Sequence, residues 1–164
     1  MSQTPVMEKD AAKPLAAYSA GHVVNISPDL ALLYISGTTA RQADGQIPPF
    51  GFSFSNSMKF TEHEGLTPAA VQARIVLEKI SSIISNASKG SGGLENLVEL
   101  TIFVKDLQND YGVINDVYNA MVGQKFRELG TALPARTCVQ VSGMPPDERT
   151  LVEMKGVARI QGCQ

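Results

Sequence analysis

The sequence predicts an α+β fold: a mixed sheet with two helices on one face. Five β-rich runs and two stretches of helical periodicity follow one another in the order β-β-α-β-α-β-β. At 164 residues with 43% hydrophobic side chains, the chain is the length of one domain and can bury a real core. No repeat at solenoid spacing interrupts that reading. Residues 1–12, small and polar, read as a flexible leader, and residues 13–164 as the single domain.

The first strand pair is Val23–Ile26 and Leu30–Ser36, joined by the turn residues Ser27-Pro28-Asp29. The second run, Ala31-Leu32-Leu33-Tyr34-Ile35-Ser36, is continuously apolar and predicts a strand buried on both faces. Periodicity then stops. Residues 38–66 form a long loop punctuated by Gly45, Pro48, Pro49, Gly51 and Gly65, and carrying Phe50, Phe52, Phe54 and Phe60. A loop of that length is uncommon in a small domain and is often functional, although a variable surface insertion reads equally well.

Thr67-Pro68 opens a helix, with Thr as the N-cap and Pro at the first helical position. Val71, Ile75, Ile80, Ile83, Ile84 and Ala87 form its buried stripe, with Gln72, Lys79 and Ser82 elsewhere on the wheel. Gly90-Ser91-Gly92-Gly93 breaks it. Val98–Val104 alternates, with Leu100, Ile102 and Val104 on one face. A second helix begins near Asn109-Asp110, buries Ile114, Val117, Tyr118 and Met121, and fades at Gly130. The last third returns to β. Thr137, Val139 and Val141 alternate with Arg136, Cys138 and Gln140. After a Pro-rich turn, Val152, Met154, Gly156, Ala158 and Ile160 share one face of a long strand, opposite Glu153, Lys155 and Arg159. A sheet covered on one face only needs a partner for the other, and self-association is the natural solution.

Composition excludes several functions. Fourteen basic against sixteen acidic residues give a formal charge of -2, and no basic run marks a nucleic-acid binder. The longest uncharged apolar stretch, Leu30–Ile35, is far shorter than the ~20 residues that cross a bilayer, so no membrane role is expected. The N-terminus lacks the apolar core of a secretory signal. Two cysteines, Cys138 and Cys163, make no disulfide framework, which suits a reducing, cytoplasmic address. His22 and His63 stand alone, so no metal site is expected. Dinucleotide, P-loop, serine-hydrolase and zinc-protease motifs are absent, and no cofactor is expected.

Polar groups on strands are what remain for chemistry. Arg136, in Pro134-Ala135-Arg136-Thr137, presents a planar fork of donors suited to a carboxylate, or else a structural ion pair at a sheet end. Glu153 lies within an apolar strand, where an unpaired carboxylate is costly. It either pairs with a neighbouring cation or faces a cavity as an acid or base. Lys155, two residues on, shares its face and would depress its pKa as readily as burial would raise it. Ser36-Gly37 brings a hydroxyl and a point of close backbone approach to the end of the buried strand. Cys138 has no histidine in its segment and reads as packing or a backbone contact. Tyr18 precedes the first strand as a core aromatic or a lid.

Several segments together resemble the reactive intermediate deaminase (Rid, or YjgF-type) family. They are Tyr34-Ile35-Ser36-Gly37, Leu100–Leu107, Ile114-Asn115-Asp116-Val117-Tyr118, Pro134–Val139, Met144-Pro145 and Val152–Ala158. The resemblance runs from about Pro14 to Ile160, nearly the whole chain. It implies a chorismate-mutase-like fold, a homotrimer with sites in the clefts between subunits, and cofactor-free hydrolysis of enamines and imines to ketones and ammonia. By the same resemblance, Arg136 clamps the substrate carboxylate and Glu153 places the attacking water. Tyr18 from a neighbouring subunit walls the pocket, completed by Ser36, Gly37, Asn115 and the backbone at Cys138. Some members have been called ribonucleases, which the acidic charge balance argues against here.

The chain departs from the family in its 38–66 loop, in Gly90–Gly93, and in Lys155, where typical members carry a second Glu. Ser36-Gly37-Thr38-Thr39-Ala40-Arg41 and Val152-Glu153-Met154-Lys155 look more like the 2-aminomuconate deaminase branch. That substrate has two carboxylates, and Arg41 or Lys155 would meet the second. Two other readings compete: a binding module that holds a small acid without turnover, and an enzyme using the same cleft for another imine or enamine reaction.

Overall fold

A computed structural model describes residues 3–6, 14–48 and 66–162. Six strands form one sheet in the order β1-β2-β3-β6-β4-β5: β1 Gln3–Val6, β2 Gly21–Ser27, β3 Leu30–Thr39, β4 Leu97–Val104, β5 Ala135–Gln140 and β6 Val152–Ile160. β4 and β5 run parallel, and the other neighbours are antiparallel. The helices are α1 (Pro68–Ala87), α2 (Leu107–Tyr118) and α3 (Gln124–Leu129), the last two joined by a π-helical turn over Asn119–Gly123. The predicted order holds, with one strand added at its start. Residues 3–6 pair with β2 as an edge strand, so that part of the predicted leader is structured.

Local chemistry explains the elements. Thr67 Oγ1 accepts from the Ala70 amide at 3.3 Å and caps α1, with Pro68 in its first turn. Asp106 caps α2 through the Asn109 amide at 3.1 Å, three residues ahead of the predicted start. Gly130 ends α3 in the left-handed region at φ 62°, where a side chain would be strained. One correction falls within α1. Gln72, predicted off the buried face, is buried, donating to the Arg149 carbonyl at 2.8 Å and accepting from the Leu151 amide at 2.9 Å. An amide can enter a core when both its ends are satisfied, and here it fastens the chain leading into β6.

The core lies between the sheet and α1 and α2, built from Leu33, Val76, Leu77, Ile80, Leu100, Ile102, Ile114 and Met154. Among the described residues, the opposite sheet face carries no helix. β3, predicted to be buried on both sides, therefore alternates: Ala31, Leu33 and Ile35 are buried, whereas Tyr34 is 49% exposed. Val139 of β5 is likewise exposed on that face. β3 runs to Thr39, past its predicted end, through a bulge that sets Ile35 opposite Gly156 but Thr38 opposite Met154. The phenylalanines of the predicted long loop, together with His63 and Cys163, lie outside the described residues.

Candidate functional site

The predicted site residues fall into two groups on opposite faces of the sheet. Residues paired across neighbouring strands share a face. Arg136 stands opposite Leu100, itself opposite Gly156, on the face that packs the helices. Glu153 stands opposite Phe103, itself opposite Val139, on the helix-free face. One chain therefore cannot close both around one small molecule.

The first group is built on the edge strand β5 and on α2. The Arg136 guanidinium lies 4.7 Å from the Tyr118 ring centroid and 5.8 Å from that of Tyr111. Both distances fall within the range of cation–π attraction. Tyr111, Asn115 and Tyr118 follow one another at i, i+4 and i+7, so one face of α2 is laid over the arginine. Tyr118 is buried and Tyr111 is 46% exposed, giving the guanidinium an inner and an outer aromatic wall. Burial pushes the Tyr118 phenol up in pKa against the pull of Arg136, which keeps it protonated.

Arg136 Nη2 is buried with no hydrogen-bond partner among the described residues, and so is Asn115 Oδ1. No carboxylate pairs with Arg136 among those residues, so it is not tied into the internal ion pair that its position also allowed. A buried charged donor without an acceptor costs several kcal/mol unless a ligand or solvent supplies one. Cys138 lies on the same face as Arg136, partly buried against the core.

The second group gathers at the β3 bulge. Gly37 leaves room there for Glu153, because a Cβ at that position would overlap Glu153 Oε1. The Glu153 carboxylate thus rests directly on the strand backbone. It has no ion pair among the described residues, and burial raises its pKa above the usual carboxylate value. Of its two sequence readings, the ion pair with a neighbouring cation is not formed among the described residues. Ser36 donates through Oγ to the Ser19 carbonyl at 2.7 Å and through its amide to Ala20 at 3.0 Å. These bonds tie the segment carrying Tyr18, itself 49% exposed, to the bulge.

Lys155 shares the face of Glu153, is exposed, and forms no ion pair with it. Arg41 sits in the turn after β3, its Nε donating to the Gly45 carbonyl at 3.2 Å and its own carbonyl accepting from Lys79 Nζ. Tyr111 was not singled out in the sequence, and Tyr118 read only as core. Their spacing from Asn115 is the signal that could have found them. Among the described residues no cluster of His, Cys, Asp or Glu is arranged to hold a metal ion, and no helix is long and apolar enough to cross a membrane.

Among the described residues, the one-sided α+β sheet carries an arginine with no carboxylate partner on its edge strand and a glutamate with no cation partner on the opposite face. The chain belongs to the Rid (YjgF-type) family: the family model described as Endoribonuclease L-PSP matches residues 8–160. TdcF of Escherichia coli (strain K12), named as a reactive intermediate deaminase, is 34% identical over 123 residues, 69% of this chain and 89% of that one. The 2-iminobutanoate/2-iminopropanoate deaminase of the same organism is 37% identical over 97 residues, 58% of this chain and 70% of its own. Solved structures repeat the fold. Yeast Mmf1 superposes with a TM-score of 0.69 at 23% identity, covering 97% of this chain and 99% of that one. The crystal structure of E. coli TdcF with bound serine gives a TM-score of 0.65 at 24% identity, covering 94% and 97%.

Proposed function

We propose that the protein is a cofactor-free deaminase that hydrolyses enamine or imine acids to keto acids and ammonia, at sites shared between subunits of a homotrimer. The observation that carries this is the buried Arg136 Nη2, a cationic donor beside two tyrosines with no acceptor among the described residues. A carboxylate is the acceptor whose geometry matches that fork. The relatives named as deaminases act on imines of short carboxylic acids, which supports the same class here.

The chemistry asks little else of the protein. A protonated imine carbon is already electrophilic, so orientation and one proton relay suffice. Arg136 grips the carboxylate, and Asn115 Oδ1 accepts from the substrate N–H. Glu153, brought in by a second subunit, takes a proton from water as its oxygen adds to the imine carbon. The same carboxyl then returns that proton to nitrogen. The carbinolamine C–N bond breaks, ammonia leaves with the bonding pair, and the remaining hydroxyl loses its proton to give the ketone. The desolvated position of Glu153 suits both steps, because a raised pKa makes it a better base and leaves it able to act as the acid.

The bare sheet face, with Tyr34 and Val139 exposed, supplies the surface for trimer formation and brings the Glu153 of one chain towards the Arg136 of another. For the substrate itself, 2-aminomuconate or a similar dicarboxylate is the leading candidate. Lys155 is the better placed of the two proposed second-carboxylate partners, since it is exposed beside Glu153 while Arg41 is held in its own turn.

The test is a coupled ammonia-release assay on freshly generated imines, 2-aminomuconate and 2-iminobutanoate among them. Arg136→Ala should abolish turnover with the fold intact by circular dichroism; unchanged turnover would exclude the clamp. Lys155→Ala should raise KM for the dicarboxylate alone, and an equal effect on both substrates would remove Lys155 from substrate choice. Tight calorimetric binding of stable 2-keto acids, with no turnover on any imine, would favour the binding-module reading.

A further inference from the structure

A second feature of the molecule lies in the helix layer, away from both groups above. A groove of about 660 Å³ opens between α1 and the π-turn with α3, a volume in the range of small-molecule sites. Leu94, Ala120 and Met121 give it an apolar lining, and Ser82, Ser85 and Glu78 give it hydroxyls and a carboxylate. The π-turn over Asn119–Gly123 places Ala120 and Met121 in that wall. Such single-turn widenings of a helix recur at functional sites.

The charges around the groove are not equivalent. Lys125 and a second carboxylate, Glu128, also line it: Lys125 is taken up by Glu95 at 3.1 Å, and Glu128 accepts from Gln124 at 2.7 Å. Lys79, next to Glu78 on α1, donates to the Arg41 carbonyl. Among the described residues, Glu78 has no hydrogen bond or ion pair of that kind. Arg74, one turn earlier on α1, is the cation whose field reaches it. Burial nevertheless outweighs that field and pushes its pKa up to about 7. Of the two lining carboxylates, Glu78 is thus the one with no hydrogen-bond partner among the described residues, beside serine hydroxyls over an apolar wall.

We infer that this groove is a second binding site, for a small ligand carrying one ammonium group on a short apolar body. An ammonium has three donors and no acceptor. Glu78 and the serine hydroxyls offer the matching acceptors, and Leu94, Ala120 and Met121 take the carbon chain. An anion would meet the Glu78 charge instead of a free cation.

The experiment is amide-resolved NMR titration of the full chain with n-butylammonium, butyrate and n-butanol. Butylammonium should shift the amides of Ser82, Ser85, Ala120 and Gln124, and butyrate should not. Its affinity should fall roughly tenfold as the pH drops from 8 to 6, because Glu78 is mostly protonated at the lower value. Glu78→Gln should lose at least about as much at pH 8, and Glu78→Asp should restore part of it. Absence of any shift, equal shifts with butyrate, or unchanged affinity in Glu78→Gln would each overturn the assignment. Because the readout is binding at the groove, it stands or falls separately from ammonia release at Arg136.

Discussion

Arg136, Glu153 and Gly37 show how much at the residue scale depends on what a side chain lacks. Arg136 and Glu153 are each held in place without a charged partner among the described residues, a costly state that substrate and water would relieve. Arg136→Lys keeps the charge but loses the fork, and kcat/KM should drop roughly a hundredfold if two-point orientation is what the arginine supplies. Glu153→Gln should lower kcat by about 10²–10⁴ with little change in KM, the signature of lost proton transfer. In the parent enzyme the rate should fall as the pH drops through the Glu153 pKa, at a pH above the usual carboxylate value, because the protonated carboxyl cannot accept from water. Gly37→Ala tests the contact between strand and carboxylate. The added methyl meets the far end of a flexible side chain, so the melting temperature should barely move while turnover collapses. A large loss of stability instead would show that Gly37 serves the strand and not Glu153.

At the scale of elements, the periodicities of β4, β6 and α1 were legible because each has one wet and one dry side. Leu100, Ile102 and Val104 are buried as alternation predicts, as are Val152, Met154, Ala158 and Ile160. β1 escaped because four residues containing a proline carry no alternation long enough to read. The π-turn escaped too, since Asn119–Gly123 continues the helical pattern without a breaker at its centre. Gly156 is a packing requirement within β6. A Cβ there would stand 2.6 Å from the Glu99 carbonyl oxygen, so Gly156→Ala should cost about 1–3 kcal/mol in denaturant unfolding. Glu78 makes α1 sensitive to pH. Its folded pKa, about 7, lies above the value of 4.5 expected in the unfolded chain. Relative stability is therefore full below pH 4.5 and is lost as the pH rises towards 7. Glu78→Gln should remove that slope and gain about 1 kcal/mol at pH 8, a figure reduced for solvent screening of a half-exposed group.

At the scale of the whole molecule, the proposed function requires Arg136 and Glu153, on opposite sheet faces, to be brought together. The proposed trimer would do this, and a mixing experiment tests it directly. Alone, Arg136→Ala should release no ammonia and Glu153→Gln no more than about a hundredth of the parental rate. Unfolded together and refolded at equal amounts, they should recover about a quarter of parental activity, the share of interfaces that pair an intact arginine with an intact glutamate. No recovery would mean that each chain uses only its own residues. Tyr34→Asp, on the bare face, should shift the protein to monomers in light scattering and abolish turnover together.

The amino-acid order was enough to give the fold class, most of the strands, the capped start of α1 and the family. Those properties rest on local periodicity, on capping chemistry and on short segments that keep their spacing along the chain. It also marked Arg136 and Glu153, since a charge in an apolar strand stands out without coordinates. Which face each of them occupies was settled only by strand register. Arg136 and Glu153 lie 17 positions apart on β5 and β6, with β4 between them, and it is the pairing through β4 that turns them to opposite sides. Side-chain direction alternates at every residue, so one step of register decides which group a ligand can reach.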